Sequence, residues 1–261
     1  MGKFDGILLC TDLDGTYMHD GTVCADNAEY VDYFEKHGGL FTVVTGRLYP
    51  YVASLAGPAP NVPVISHQGA VLYDLQKGEV LEDRPLPKGF DEVNEFILSL
   101  GPFEAVNMSQ LSRTVQRRKG EPFDESAAYY KGVTNCPTRE DAAFLHKSLR
   151  EQFGDRYEVY FGWSTGIEYL AKGVGKGSAL LSLRTRLGSA AKTVYAFGDS
   201  ESDTTMFRTA DVGCAVENAS EVTKEAADIV LCNYKNGALA QFIRALDAGK
   251  IPAIAKKKEI R

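Results

Sequence analysis

The sequence predicts an α/β protein, with a Rossmann-like core built on a parallel sheet and an α+β domain inserted into it. Two observations predict this architecture. Short apolar runs alternate with helical patterns at the start of the chain and again from about Gly173, as strands buried on both faces of a parallel sheet require. Between these parts the rhythm changes, so we expect the core to comprise 1–84 and 171–261 and the inserted domain to comprise 85–170.

The first part of the core alternates buried strands with helices. Asp26 is placed to cap the first helix and Gly38 to end it. The turn "LQKG" joins two strand-like runs and predicts a hairpin, and the prolines of "RPLPKG" after it predict a linker. The predicted elements are strands at 7–11, 40–44 and 62–66, helices at 26–37 and 48–56, and hairpin strands at 70–74 and 79–83.

The inserted part carries two helical patterns and several alternating runs. Thr138, with Asp141 three residues on, has the pattern of a capping box before the second helix. In the later part of the core, "KTVYAFGD", "DVGCAV" and "ADIVL" predict buried strands, and a last helix is expected near 238–246. The predicted elements of the inserted part are helices at 90–100 and 138–153 and strands at 103–108, 113–117, 156–163 and 166–170.

Composition and charge exclude several classes of protein. The chain has 261 residues, 44% of them hydrophobic, and a net charge of -6, which argues against a nucleic-acid or membrane-surface binder. Its five scattered cysteines include no CxxC pair, which argues against a zinc site or a disulfide framework. No apolar run approaches a membrane span, and no signal-peptide core is present. We expect a cytoplasmic protein, monomeric or weakly dimeric, with the basic ending "KKKEIR" as a solvated tail.

Polar residues follow each predicted strand of the core. Because ligands of parallel α/β sheets bind beyond the carboxyl ends of the strands, we expect these residues to converge. Carboxylates suit a hard cation such as Mg²⁺, and Lys176 at the start of a predicted helix adds a fixed positive charge. The residues at the strand ends are Asp12 and Asp14, then Thr45, Gly46 and Arg47, then Ser66, His67, Gln68 and Gly69, and finally Asp199 with Asp203 four residues on.

Asp12 and Asp14 stand two residues apart, so their side chains point the same way along a strand. They can therefore flank one reacting group. One carboxylate can attack phosphorus, giving an aspartyl-phosphate, while the other handles the proton of the leaving group. A simple turn and helix cap would also account for this pair, but not for the other polar residues at matching strand ends.

Two better-known motifs do not fit. If Gly15 is aligned to the invariant glycine of a calcium-binding EF-hand, Cys10 and Gly21 fall on the first and last ligand positions, where neither can serve. The run "KGVGKGS" is not a phosphate-binding loop of the Gly-Lys-Ser/Thr type, because Leu170 stands in place of its first glycine and Gly177 in place of its hydroxyl residue.

Four motifs carry a family resemblance. "TDLDGT", "VVTGR", "GVGKG" and "GDSESD", in this order, resemble the motifs of the haloacid dehalogenase superfamily, over nearly the whole chain. The insertion between the second and third motifs resembles the large α/β cap (C2-type) of the Cof-type branch. The resemblance implies a Rossmann-like catalytic core, a cap that sets substrate specificity, and phosphatase activity.

The resemblance also implies a role for each matched residue. Asp12 would be the nucleophile, and Asp14 the general acid and then the base for water. Thr45 would hydrogen-bond the phosphoryl group, and Lys176 would neutralise its charge. The implied ligands of Mg²⁺ are the Asp12 carboxylate, the Asp14 backbone carbonyl and Asp199, with Asp203 supporting or joining them. The implied substrate-binding residues are Gly46, Arg47, Gln68 and Gly69.

The sequence departs from the family pattern at two positions. Ser202 replaces an asparagine of the fourth motif, which should alter hydrogen bonds around the metal rather than remove it. Gln68 replaces an asparagine near the cap, where an atypical leaving-group preference could arise. His67 beside it is a candidate base or a structural residue. Arg47 could contact substrate or brace its loop. Three further features could be site residues or packing and solvated surface: Trp163, Glu168 and the basic run 113–119.

The sequence therefore predicts a Mg²⁺-dependent phosphatase of small phosphorylated metabolites, in particular sugar phosphates, acting through an aspartyl-phosphate. Two alternatives stay open. A phosphomutase on the same fold would return the phosphoryl group to a second hydroxyl. A catalytically silent metabolite-binding protein is the other, against which the intact Asp12, Asp14, Lys176 and Asp199 argue.

Overall fold

A computed structural model describes residues 2–251, so the basic ending lies outside the described residues. The strands are, in chain order, β1 (Ile7–Thr11), β2 (Met18–His19), β3 (Thr22–Val23), β4 (Leu40–Val43), β5 (Val64–Ser66), β6 (Val71–Asp74), β7 (Glu79–Asp83), β8 (Ala105–Ser109), β9 (Thr114–Arg118), β10 (Lys131–Asn135), β11 (Tyr157–Trp163), β12 (Gly166–Ala171), β13 (Thr193–Gly198), β14 (Val212–Val216) and β15 (Ile229–Leu231). The helices are α1 (Ala25–Lys36), α2 (Tyr49–Ala53), α3 (Asp91–Ser99), α4 (Arg139–Phe153), α5 (Lys176–Leu187), α6 (Thr204–Thr209), α7 (Glu221–Ala226) and α8 (Ala238–Asp247).

Five parallel strands form the central sheet of the core, in the order β15-β14-β13-β1-β4. Strands β1, β13 and β14 are apolar and almost wholly buried, which requires cover on both faces. Helix α1 packs against α8, and α5 packs against α6. Because β13, β1 and β4 are neighbours, the residues that follow these three strands lie side by side at one edge.

A smaller sheet extends the core beyond β4. Strands β5, β6 and β7 pair antiparallel, and a single bridge between Val44 and Ile65 joins them to the parallel sheet. The hairpin predicted at the turn "LQKG" is confirmed, and the stretch after it, 84–90, contains neither helix nor strand, as expected of a linker.

The inserted domain is built on a five-stranded antiparallel sheet in the order β11-β12-β10-β8-β9. Helices α3 and α4 pack against it over a separate apolar cluster. Side chains alternate between the two faces of a strand, so the face of this sheet opposite the helices can face the parallel core. The predicted α/β fold with an inserted α+β cap is confirmed, while its boundaries at 84/85 and 170/171 stay a prediction.

Local predictions are confirmed in part. The capping box at the start of α4 is present, because Thr138 Oγ1 accepts a hydrogen bond from the Asp141 backbone N–H and Asp141 accepts one from Thr138 in return. The prediction that Asp26 caps the first helix is wrong. Cys24 is the N-cap, without a side-chain hydrogen bond, and Asp26 in the first turn instead accepts a hydrogen bond from Arg244 of α8.

Strand β10 was not predicted, although it lies in the middle of the cap sheet. Its five residues include a lysine, a glycine and an asparagine, which lack the alternation by which the other strands of this sheet can be recognised. Among residues 2–251 no helix is both long and apolar enough to cross a lipid bilayer.

Candidate active site

Three neighbouring strands of the parallel sheet deliver the central carboxylates and the threonine. Asp12 directly follows β1, and its backbone N–H donates to Phe197 O of β13 at 2.9 Å. Thr45 comes just after β4, and Asp199 directly follows β13. The convergence expected from the sequence is therefore present in the structure, as a consequence of strand order.

Lys176 lies between Asp12 and a further carboxylate, Asp203. Its Nζ donates to Asp12 Oδ1 and to Asp203 Oδ1, each at 2.6 Å, and only 3% of its side chain is exposed. Burial alone would lower the pKa of this ammonium, but the charges of Asp12 and Asp203 outweigh burial and raise the pKa above its ordinary value. Lys176 is therefore a permanently charged centre of the site.

Both carboxylate oxygens of Asp203 accept hydrogen bonds. Besides the bond from Lys176 to Oδ1, its Oδ2 accepts from the backbone N–H of Asp199 at 3.0 Å and from the N–H and Oγ of Ser200 at 2.9 Å each. Ser202 Oγ shares a hydrogen bond of 2.9 Å with Ser200 Oγ. Asp203 therefore braces Lys176 and the loop that carries Asp199.

The donor set at this edge fits a hard divalent cation. Oxygen atoms of Asp12, Asp199 and Asp203 lie within 4.8 Å of one another. Burial, followed by the charge of Asp203, raises the pKa of Asp199 to about 7, and burial also raises the pKa of Asp12 well above its usual range although Lys176 opposes it. Carboxylates that are costly to ionise in the absence of a cation, with one lysine between them, suit a metal that prefers oxygen ligands.

Close packing of the first loop keeps Asp199 in place. Thr16 Oγ1 donates to Asp199 Oδ1 at 3.2 Å. Gly15 has a φ of +81°, and a Cβ added there would lie 2.6 Å from Asp199 Oδ2. Both the turn and this close approach require glycine after Asp14.

Asp14 lies outside the acidic triad. Its side chain is 50% exposed and both of its oxygens accept from Arg47, from Nε at 2.7 Å and from Nη2 at 2.6 Å. The Arg47 guanidinium also stacks on the Tyr51 ring, 3.9 Å from its centroid. Arg47 thus braces Asp14, while both residues line the same cavity.

Of the remaining predicted residues, Thr45, Gly46 and Gln68 line the cavity that also contains Asp12. Thr45 is buried, and its Oγ1 accepts from the Arg47 backbone N–H at 3.1 Å. A Cβ on Gly46 would lie 3.0 Å from Gln68 Oε1. Gly69 approaches the start of α5 so closely that a Cβ would lie 2.3 Å from Gly175 O, so it packs against the helix that carries Lys176 rather than lining the cavity.

A cavity of about 1210 Å³ opens above these residues. Its volume far exceeds that of a phosphate group, so it leaves room for a leaving group of considerable size. The cap contributes Lys131, Arg139, Phe161, Gly162, Trp163, Ser164 and Glu168 to its lining. Trp163 and Glu168, which the sequence left as either site residues or packing, both line this cavity.

Sequence reasoning missed Lys131 and Arg139. Lys131 begins the unpredicted strand β10, and Arg139 begins α4 directly after its capping threonine. The run "YYKGVT", with aromatic and β-branched residues, is a weak signal for the strand. No local sequence pattern indicates that Lys131 pairs with Glu168, which lies 37 positions further along the chain.

Two other candidates, His67 and the basic run 113–119, lie outside the lining of this cavity. The ring of His67 is buried, with Nδ1 against Ser66 Oγ at 2.9 Å and Nε2 donating to Gln110 O of the cap at 3.0 Å, and burial lowers its pKa to about 4. Arg117 of the basic run is buried in an ion-pair network with Asp91 of α3.

Comparison with known proteins agrees with this architecture. The family model of the haloacid dehalogenase-like hydrolases matches residues 9–111 and 104–243. Pyridoxal phosphate phosphatase YbhA of Escherichia coli is 25% identical over 266 residues, covering 90% of this chain and 97% of that protein. The 5-amino-6-(5-phospho-D-ribitylamino)uracil phosphatase YcsE of Bacillus subtilis is 25% identical over 244 residues, covering 91% and 94%.

A solved structure is similar over the same extent. A haloacid dehalogenase-like hydrolase from B. subtilis matches with a TM-score of 0.80 at 20% identity, covering 92% of this chain and 99% of that one. Fold and site together define a hydrolase of phosphoric monoesters with a capped α/β core. The chain belongs to the haloacid dehalogenase-like hydrolases, in their Cof-type branch, and acts on small phosphorylated compounds. Hydrolases of this family generally use a divalent metal, which the acidic triad fits.

Proposed function

We propose that the protein is a Mg²⁺-dependent phosphatase of sugar phosphates and related metabolites, acting through an aspartyl-phosphate on Asp12. The observation that supports this most directly is the arrangement of Lys176 between Asp12 and Asp203, under a cavity that extends to the cap. The named substrate of the relative YcsE bears its phosphate on a ribityl chain, which is a sugar alcohol.

The first step transfers the phosphoryl group to the protein. The Asp12 carboxylate attacks phosphorus, the bond between phosphorus and the leaving-group oxygen breaks, and Asp14 gives that oxygen a proton. Lys176 and the Thr45 hydroxyl stabilise negative charge on the phosphoryl oxygens. Because both oxygens of Asp14 accept from Arg47, one of these two bonds must open for Asp14 to carry and deliver its proton.

The second step regenerates the enzyme. Asp14, now a carboxylate, accepts a proton from water, and the resulting hydroxide attacks phosphorus and releases phosphate from Asp12. Mg²⁺, held by Asp12 and Asp199 with Asp203 behind them, would supply positive charge that offsets the crowding of carboxylate and phosphoryl oxygens. The backbone carbonyl of Asp14 stays a proposed further ligand. The unpaired cysteines of residues 2–251 fit the reducing cytoplasm in which we place the reaction.

The test is phosphate release from para-nitrophenyl phosphate, with and without Mg²⁺. Wild type should turn over only with the metal, and Asp12→Asn should lose about 10⁴-fold in kcat or more, because its amide is not a nucleophile. Asp32→Asn, which removes a carboxylate from an exposed ion pair of α1, is the matched control and should retain full activity.

Other results would point elsewhere. Equal activity of wild type and Asp12→Asn would mean that another group attacks phosphorus. If neither protein turns over but a sugar bisphosphate activates phosphoryl transfer between hydroxyls, the enzyme is a phosphomutase. If metabolites bind without any turnover, the protein is a silent binder.

A further inference from the structure

The cap carries a buried ion pair that faces the active site. Lys131 begins β10 and Glu168 lies on the neighbouring antiparallel strand β12, and Lys131 Nζ donates to Glu168 Oε1 at 2.7 Å. Each side chain is only 6% exposed. Along β12 the next residue, Tyr169, lies on the opposite face, where its hydroxyl donates to Asn94 of α3. The pair therefore projects from the sheet face that the cap helices leave uncovered.

This ion pair lies directly over the catalytic loop of the core. A Cβ added to Gly46, the residue after Thr45, would lie 3.5 Å from Lys131 Nζ. Lys131 and Glu168 line the same cavity as Asp12. A substrate whose phosphate contacts Asp12 therefore directs its leaving group toward the pair.

One atom of the pair has no partner. Glu168 Oε2 is buried and accepts no hydrogen bond, a condition shared among the described residues only with Tyr17 Oη and Glu35 Oε1. Of these three residues, Glu168 alone lines the large cavity. A buried, unpaired carboxylate oxygen is costly, so a donor that reaches it contributes more than an ordinary hydrogen bond.

A second ion pair of the cap shows what a purely structural pair looks like. Arg117 is 6% exposed, donates to both oxygens of Asp91, and has its remaining donors taken by Glu95 and by backbone carbonyls. It does not line the large cavity. The pair of Lys131 and Glu168 differs in both respects.

Two glycines of the β11–β12 hairpin leave room for the side chains of Glu168 and Trp163. A Cβ on Gly162 would lie 3.1 Å from both Cγ and Cδ of Glu168, so a larger residue would push the carboxylate aside. Trp163 follows, and a Cβ on Gly166 across the hairpin would meet its indole at 2.2 Å, so glycine lets the ring lie flat on the strand. The indole is 45% exposed and lines the cavity as an apolar wall.

From this geometry we propose that Lys131 and Glu168 select leaving groups that carry hydroxyls, as sugars and sugar alcohols do. This proposal rests on the proposed phosphatase activity and assigns its specificity. A hydroxyl can donate to Glu168 Oε2 and accept from Lys131 at once. A second anionic group has no proton to donate to Glu168 Oε2, and an apolar group would likewise leave Oε2 unpartnered. The indole of Trp163 offers the apolar face on which the C–H side of a polyol packs.

The experiment compares hydroxylated phosphate esters with analogues that lack hydroxyls. The pairs are glycerol 1-phosphate with propyl phosphate, ribose 5-phosphate with 2-deoxyribose 5-phosphate, and glucose 6-phosphate with 2-deoxyglucose 6-phosphate. Para-nitrophenyl phosphate, which has no hydroxyl, reports on the chemistry alone. Wild type should prefer at least one hydroxylated member by about 10- to 100-fold in kcat/KM, because its analogue leaves Oε2 unpaired.

Two variants remove the interaction in different ways. Glu168→Gln should reduce that preference by about tenfold, mainly through KM of the hydroxylated ester, and should lower kcat/KM of para-nitrophenyl phosphate by a smaller factor. The double variant Lys131→Met with Glu168→Leu replaces the pair by apolar side chains of similar size, so it leaves no unpaired charge and should fold. It should abolish the preference. Glu158→Gln, which weakens an ion pair with Lys172 on the same hairpin but outside the cavity, is the matched control.

The outcomes separate the two proposals. If both variants lower kcat/KM of hydroxylated esters and of para-nitrophenyl phosphate equally, the pair is structural and the specificity proposal is overturned. An unchanged hydroxyl preference overturns it as well. If wild type shows no Asp12-dependent turnover even of para-nitrophenyl phosphate, the proposed function itself fails, and the specificity proposal falls with it.

Discussion

The core and the cap each bury one lysine against carboxylates, and the two sites differ in how completely the charges are paired. In the core, Lys176 donates to both Asp12 and Asp203, and every oxygen of Asp203 has a partner. In the cap, the one hydrogen bond that Lys131 donates within residues 2–251 goes to Glu168, and one oxygen of Glu168 has no partner there. Lys176 therefore has two carboxylate partners, whereas the carboxylate of Glu168 keeps one oxygen without a partner.

This difference corresponds to the part of the substrate that each site would contact, the phosphoryl group in the core and the leaving group in the cap. A phosphoryl group is the same in every phosphate ester, so the groups that act on it can be fixed in advance by the protein. The leaving group varies between substrates, and recognition is sharpest where a missing substrate hydrogen bond leaves a buried group unsatisfied. The unpaired oxygen of Glu168 has that property.

The largest expected effect that distinguishes the two lysines is on stability. Lys176→Met leaves Asp12 and Asp203 buried without a counter-charge, so the free energy of unfolding should fall by about 3–5 kcal/mol. Lys131→Met leaves a single carboxylate, and the fall should be roughly 2 kcal/mol. Urea unfolding at pH 8, with divalent metals chelated, measures both values.

A surface lysine provides the baseline for this pair of variants. Lys172→Met removes a 3.4 Å ion pair with Glu158 in which the lysine is 52% exposed, and should change stability by less than about 1 kcal/mol. If Lys131→Met lowered the free energy of unfolding as much as Lys176→Met, the cap pair would contribute to stability as much as the core group does. The two lysines would then not differ in the way proposed.

A smaller effect is expected in the pH dependence of the core. The pKa of Asp199 is raised from 3.8 to about 7 by burial and by Asp203, so the folded state binds a proton there that the unfolded state has released. Stability of the metal-free protein therefore falls as pH rises between these values. Asp199→Asn should gain stability relative to wild type between pH 5 and pH 8, on the order of 2 kcal/mol.

The comparison with Asp199→Asn is needed because His67 acts in the opposite direction. Its pKa is lowered from 6.5 to about 4, so the unfolded state binds more protons in that window and stability rises with pH. Thermal unfolding of both proteins in chelator isolates the contribution of Asp199. Mg²⁺ should stabilise wild type more at pH 8 than at pH 5, since protons compete with the cation; equal stabilisation at both would argue against Asp199 as a ligand.

The smallest effect on stability is expected at Arg47, which pairs with Asp14 in the core. Arg47→Lys keeps the charge but cannot donate to both oxygens of Asp14, and because the pair is half exposed, stability should change by less than about 1 kcal/mol. If Arg47 positions Asp14, kcat for para-nitrophenyl phosphate should fall by about tenfold with little change in KM. A rise in KM with unchanged kcat would instead assign Arg47 to phosphate binding.

Much of the core could be predicted from the sequence because its signals are local. Buried parallel strands are continuous apolar runs, and polar residues that follow them meet at one edge whatever the loops do. This reasoning brought Asp12, Thr45, Lys176 and Asp199 together, as the structure does. It could not distinguish the Asp14 side chain, paired with Arg47, from the three carboxylates that form the acidic triad.

The cap was harder to predict for a physical reason. Which faces of its strands meet depends on antiparallel register, and a shift of one residue would turn Glu168 from the cavity toward the helices. His67 and Gln68 adopt positive φ values of 53° and 60°, a conformation that no local sequence signal imposes on these residues. Tertiary contacts, such as the bond from His67 to Gln110 O, decide their conformation.

The packing of the Trp163 indole against the hairpin has a practical consequence. Trp163 is the one tryptophan in the 261 residues of the chain, and its half-exposed indole forms part of the cavity wall. Excitation at the red edge of protein absorption therefore addresses a single site on the cap. A ligand that displaces water from this indole shifts its emission to shorter wavelength, so the unlabelled protein carries its own optical reporter of whether the cavity is filled.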